Sequence, residues 1–195
     1  MKAKLLLCLV LALSGALSGC TMASISHPAE KRLWGNVTDG LQMSLIVFRT
    51  DKDYPLLQIA IWNVGNKDVQ LNLGRTLANR KVLIPDNIGL ILTDSNGKRT
   101  KLDFADARFP AANGGKDDYV VLLKSGSTYA LVLHLEEFIS ETTGDSVNLT
   151  PGRYVISSQF QGVSADGINA DMDGTKLPNF WRGKLQSNDA IIYED

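Results

Sequence analysis

The chain has 195 residues, with 20 Lys and Arg against 21 Asp and Glu, and its two cysteines are Cys8 and Cys20. A near-neutral charge with no Lys/Arg run leaves a nucleic-acid partner without electrostatic support. Beyond residue 20 there is no thiol for a disulfide, a zinc site or a nucleophile, so the folded part must be held by its core alone.

The N-terminus reads "MKAKLLLCLVLALSGALSGC". Lys2 and Lys4 form a positive head, Leu5 to Leu17 an apolar run broken by Ser14 and Gly15, and Ser18 and Gly19 precede Cys20. That order is a secretory signal. The apolar run has 13 residues, short of the ~20 that span a bilayer as a helix. "LSGC", Leu17 to Cys20, resembles the lipobox of bacterial lipoproteins. The resemblance implies that Cys20 is alkylated with diacylglycerol, becomes the first residue of the mature chain and is N-acylated, commonly with palmitate. Stable anchoring needs two acyl chains or more, at about 0.8 kcal/mol per buried methylene. Thr21, where this family uses Asp for inner-membrane retention, implies the outer membrane if the source has one. The competing reading is an ordinary signal peptide followed by a free cysteine.

Residues 1–19 are therefore expected to leave. Lys2 and Lys4 go with them, so 18 of the 20 basic residues remain against 21 acids. Residues 20–33, polar and carrying Pro28, read as a lipidated tether, and 34–195 as one domain, large enough to bury a substantial core.

The dominant period beyond the tether is two. In "LQMSLIVF", Leu41, Met43, Leu45 and Val47 share a face; in "LLQIAIW", Leu57, Ile59 and Ile61 oppose Gln58 and Ala60. "VQLNL" alternates likewise, and Asn96-Gly97 signals a two-residue hairpin between "IGLILTD" and "KRTKLDF". "TYALVLHL" aligns Tyr129, Leu131, Leu133 and Leu135, and "RYVISSQF" aligns Tyr154, Ile156, Ser158 and Phe160. Further turns fall at Gly65-Asn66, Ser125-Gly126 and Pro151-Gly152. "RTLANRK" and "EEFISE" could each form a turn or two of helix. The pattern predicts an all-β, antiparallel β-sandwich of about eight or nine strands.

"LTPGRYVIS", Leu149 to Ser157, resembles the corner of immunoglobulin-like and fibronectin-like domains. There a Tyr near the start of a core strand bonds back to upstream backbone, a role that falls to Tyr154. The antibody Cys…Trp…Cys pattern is missing, so such a sandwich is disulfide-free. The ending "W-x-G-x-x-x-S-N", Trp181 to Asn188, resembles that of uncharacterised exported bacterial β-sandwich proteins and implies fold, not activity.

Two long loops, 105–118 and 162–181, are the first candidates for recognition, with Phe109, Asn113, Phe180 and Trp181 as contact residues. In the second, Asn169, Asp171, Asp173 and Gly174 match the opening of a calcium loop, with Asp166 nearby. The twelfth position is Phe180 instead of a bidentate Glu, so a solvated polar loop accounts for it better. Serine-hydrolase chemistry lacks its parts: His27 lies in the tether, His134 on a strand's second face, and no G-x-S-x-G occurs. The acid pairs Asp117-Asp118 and Glu136-Glu137 are adjacent, and strand neighbours point to opposite faces. Trp34, Trp62 and Trp181 could line a groove, although a core edge suits them better. The Asn-x-Thr triplets at Asn36 and Asn148 remain bare in a bacterium.

The sequence thus predicts an envelope lipoprotein with no cofactor and no catalysis, held to the membrane by lipid and binding an envelope protein partner. The alternatives are a protease-inhibitor-like sandwich and a cell-wall glycan enzyme.

Overall fold

The structure is a computed structural model that describes residues 32–50, 53–77, 82–105, 117–164 and 180–194. Within them lie twelve strands: β1 Leu41–Thr50, β2 Asp53–Asn63, β3 Val69–Leu77, β4 Val82–Ile84, β5 Ile88–Thr93, β6 Arg99–Phe104, β7 Asp117–Leu123, β8 Thr128–His134, β9 Phe138–Ser140, β10 Gly152–Gln161, β11 Lys184–Gln186 and β12 Ala190–Glu194. Every pair of these strands is antiparallel, and among the described residues the sheets do not close into a barrel. The only helical turn among the described residues is a 3-10 turn at Leu135–Glu137. No helix among them is long and apolar enough to cross a membrane.

Three sheets share the work. One has the order β1-β2-β8 and one β4-β3-β7. The third has the order β11-β10-β5-β6-β9, with β12 following β11 along the same edge of β10. The period-two faces meet in one core, to which Met43, Leu45, Ile59, Ile61, Leu71, Leu73, Leu90, Phe138, Ile156 and Phe160 contribute fully buried or nearly fully buried side chains. Burying each such side chain stabilises the fold by about 1.5–3 kcal/mol.

The twelve strands exceed the expected count because the tail supplies two short ones and "EEFISE" gives the 3-10 turn followed by β9. The β5–β6 turn also differs from the two-residue form. Gly97 N–H donates to Asp94 C=O (3.0 Å), Gly97 takes φ +80°, and no described non-glycine residue except Asp39 has positive φ. This is a tight turn followed by a left-handed glycine, a three-residue loop. Asp94 selects it: its Oδ1 accepts from the backbone N–H of Asn96 (2.8 Å) and Lys98 (2.9 Å).

Tyr154 bonds back to the upstream backbone. Its hydroxyl donates to Thr150 C=O (2.9 Å) and accepts from Thr150 N–H (3.1 Å), fixing the entry into β10.

The ending that suggested only a fold has structural uses at all four positions. The Trp181 ring lies against Phe160, and Gly183 packs so closely on that ring that an added Cβ would come within 2.8 Å of it. Ser187 spans the break between β11 and β12: its N–H donates to Ser158 C=O (2.9 Å) and its Oγ accepts from Ser158 N–H (2.8 Å). Asn188 reaches out of its own sheet to β1. Its Oδ1 accepts from Leu45 N–H (2.9 Å) and its Nδ2 donates to Leu45 C=O (3.1 Å), so one side-chain amide pairs with the free edge of β1 as a strand would.

The hydroxyls of Tyr119 on β7 and Tyr129 on β8 share a hydrogen bond. Burial, and then that bond, hold the Tyr119 phenol above its ordinary pKa of about 10. An unfolded chain therefore loses this proton before the folded one does. Stability from the neutral phenol is complete below pH ~10 and declines as pH rises above it. Tyr119→Phe is expected to flatten alkaline denaturation measured by circular dichroism; an unchanged alkaline limb in that variant refutes the assignment.

Candidate functional site

The sequence-predicted site residues fall into three groups. Cys20, Phe109, Asn113, Asn169, Asp171 and Asp173 lie outside the described residues. Phe180 is half-buried and forms a parallel bridge with Gln70 beside β3. Trp181 is not a surface contact: it is 6 % exposed, its N–H donates to Gln70 C=O (2.9 Å) and its Nε1 donates to Asp39 C=O (3.2 Å). An indole with its one polar atom satisfied and its ring stacked belongs to the core.

The acid pairs have structural partners. Glu137 is buried, and its Oε2 accepts from His134 N–H (2.8 Å) at the start of the 3-10 turn, while Glu136 is exposed. Asp118 Oδ1 accepts from the buried amide of Asn72 (3.1 Å). His134 stands opposite Leu56, on the outward face of its sheet. Among the described residues no group of three His, Cys, Asp or Glu could hold a metal.

One cleft, of about 200 Å³, opens where the β5–β6 turn meets the segment 140–149. Leu92, Leu102 and Leu149 floor it, and Asp94, Thr100, Ser146 and Asn148 are among its polar lining residues. None of its lining residues is a histidine or cysteine, and Asp94 is engaged with its own turn. The cleft can accept hydrogen-bonding groups.

The most developed feature is the outward face of the β1-β2-β8 sheet. Pairing sets four tiers across β1, β2 and β8: Gln42–Trp62–Thr128, Ser44–Ala60–Ala130, Ile46–Gln58–Val132 and Phe48–Leu56–His134. A strap of chain just ahead of β1 crosses this face. Gly35 N–H donates to Met43 C=O (2.8 Å), and Gln42 Nε2 donates to Gly35 C=O (3.1 Å), which pins the strap to the β1 edge. Trp34 then packs on Trp62 with ring centroids 5.4 Å apart, and Trp62 Nε1 donates to Gly126 C=O (3.2 Å). Arg32 lies 5.6 Å from the centroid of the Trp34 ring, and its Nη2 donates to Gln58 Oε1 (2.7 Å).

The second tier explains the fit. Ser44 and Ala60 point outward, yet both are 0 % exposed, and they lie between the two tiers that the strap touches. Their small side chains leave room for the indoles. Arg32 over Trp34 combines a cation–π contact with a charge-assisted hydrogen bond. By contrast Val132 on β8 is 56 % exposed, so the strap covers the β1–β2 half of the face and leaves the β8 margin open.

Sequence reasoning placed Trp62 on this face but missed the strap, since Arg32 falls in the segment read as tether and no periodicity marks a single crossing chain. No known protein family matches the chain, and no curated protein matches it at a significant level.

Proposed function

We propose that the chain is a bacterial lipoprotein whose folded part is an immunoglobulin-like β-sandwich, tied to the envelope through lipid on Cys20. Its role is non-catalytic: it binds or helps assemble other envelope components, on the outer membrane in a two-membrane source. The observation that carries the reading is "LSGC" closing a charged and apolar leader, with both cysteines of the chain at or before that point. Three features support the rest. The Tyr154 hydroxyl bonds back to Thr150 as the tyrosine of an immunoglobulin-like corner does. Glu137 and Asp118, one from each adjacent acid pair, are engaged in a backbone cap and an amide contact, which suits a binding module. The chain is fastened to its own domain from Arg32 onward, about a dozen residues after Cys20.

Labelling with a palmitate analogue and detergent-phase partitioning test the anchor. The expressed full chain is expected to take up label and enter the detergent phase, and Cys20→Ser is expected to lose both, with at least a tenfold shift to the aqueous phase. Equal labelling and partitioning of the two forms would sink the proposal.

A further inference from the structure

The β1-β2-β8 sheet has two rims, and the chain treats them differently. On the β1 rim, Met43 C=O accepts from Gly35 N–H, and the Asn188 amide takes both backbone groups of Leu45. The β8 rim has no such cover. Asn63 N–H donates to Ser127 C=O (3.0 Å), and bonded and unbonded pairs alternate along an antiparallel ladder. The bonded pairs are therefore Ile61–Tyr129, Ile59–Leu131 and Leu57–Leu133. The backbone N–H and C=O groups of Thr128, Ala130 and Val132 point away from β2, to the rim. His134 N–H, next along it, is taken by Glu137 Oε2 (2.8 Å). Among the described residues nothing bonds to the other three, whose side chains are exposed, Val132 by 56 %.

Such a rim invites pairing unless charge, proline, a bulge or shortness protects it. Elsewhere that protection is present: β4, β9 and β11 have three residues each, and β7 opens on Asp117 and Asp118. β8 has seven residues, "TYALVLH", with no acid, lysine, arginine or proline and an unbroken register on β2.

We propose that the β8 rim is the contact through which a second copy of this chain docks, β8 running antiparallel to β8 about a two-fold axis at Ala130. Three observations select this occupant. With the β1 rim filled, head-to-tail addition has no acceptor, so pairing through β8 closes at two copies. The register that sets Ala130 on its own copy sets Thr128 against Val132, uses every open rim group in about six backbone bonds, and stops short of the occupied His134. It also brings Tyr129 opposite Leu131, both half-buried on the core side of this edge. Finally, the two ends of β8 differ in charge. The turn end carries exposed Lys67 and Lys124 against Asp68, whose Oδ1 accepts from Ser125 N–H (2.9 Å), and the other end carries exposed Glu136. Antiparallel pairing lays each basic end beside the acidic end of the other copy, twice over. The result is a six-stranded sheet across the dimer, and it does not depend on lipid at Cys20.

Oxidative cross-linking of the expressed full chain in intact cells tests this. In a bonded antiparallel pair the Cα atoms lie about 5.5 Å apart, within the ~4.4–6.8 Å a disulfide spans. With copper–phenanthroline, Ala130→Cys is expected to give at least tenfold more disulfide dimer than Leu83→Cys, an exposed site on β4, or the unsubstituted chain. Val132→Pro removes only a rim-facing N–H and leaves the β2–β8 ladder intact, and Val132→Lys places a charge on an exposed site. Each, added to Ala130→Cys, is expected to cut the dimer at least tenfold with the far-ultraviolet circular dichroism unchanged. Lys124→Glu is expected to cut it about threefold, and Glu136→Lys in the same chain to restore it. Equal cross-linking at 130 and 83 overturns the dimer in favour of chance encounter. A product joined to a different protein overturns it in favour of a foreign strand on the rim. Dimer that persists in both Val132 variants overturns the β8 pairing, and a charge-swapped chain no better than Lys124→Glu alone overturns the antiparallel arrangement. Because the Leu83 control shares any anchor and any crowding, the outcome is separate from that of the labelling experiment on Cys20.

Discussion

Gly35→Ala is expected to lower the melting temperature of the soluble domain by about 6–12 °C and to shift its tryptophan emission to the red. The cause is steric and local. A Cβ on Gly35 would stand 2.0 Å from the Gln186 carbonyl oxygen and 3.0 Å from its carbon, and backbone cannot swing aside as a flexible side chain can. Either β11 moves away from β10 or the strap lifts from the β1 edge. Lifting the strap gives up the Gly35–Met43 hydrogen bond and uncovers the Trp34–Trp62 pair together with Ser44 and Ala60. A lost backbone bond and one re-exposed indole amount to about 3 kcal/mol, or some 2–4 °C per kcal/mol for a domain of this size. Differential scanning calorimetry and fluorescence read the two effects separately. A variant with wild-type melting and emission would show that the strap does not hold the face.

Trp181→Ala is expected to be the most damaging single truncation, at about 3–5 kcal/mol. The ring stacks on Phe160 at 5.8 Å and 20°, and its Nε1 is bonded to Asp39 C=O. Gly162 and Gly183 lie so close that a Cβ on either would approach it within 2.5 Å and 2.8 Å. Two side-chain-free positions around one indole make a slot that nothing else in the chain can fill. The truncation leaves a cavity at the junction of β10, β11 and the start of β1. Urea denaturation checks this through the midpoint, with an unchanged slope indicating that the rest of the fold persists. Had Trp181 served a partner, alanine would leave the midpoint where it was, and that outcome would falsify its place in the core.

Alternation made most of the sheet faces legible. Leu41, Met43 and Leu45, or Leu57, Ile59 and Ile61, point where a period of two puts them, and their core positions follow. The pattern fails where a polar residue is buried with its bonds satisfied. Asn72 sits on the nominally wet face of "VQLNL", yet it is buried, because its Nδ2 donates to Asp118 Oδ1 (3.1 Å) and Ser164 C=O (3.1 Å) and its Oδ1 accepts from Gly74 N–H (3.1 Å). The contacts to Asp118 and Ser164 link residues far apart in the chain and leave no local trace. The outward face of the β1-β2-β8 sheet was half legible for the same reason. Trp62 could be placed on it from the period, but the buried Ser44 and Ala60 look like solvent positions until Trp34 and Arg32 are brought over them. Small residues on a second face, facing two indoles, were the available signal. At the tail, Trp181, Gly183, Ser187 and Asn188 stood out as a spacing whose uses are purely internal, and only their contacts reveal this.

The Asn188 amide has a consequence beyond holding two sheets together. An uncovered strand rim is a template on which a neighbour's backbone can polymerise. Proteins fixed to a bilayer meet one another by two-dimensional diffusion, at local densities far above those in solution. By occupying the rim at Leu45 with its own amide, while Gly35 fills the rim at Met43, the chain withholds that template from its neighbours, and the proposed lipid on Cys20 would make this matter most by raising their local density.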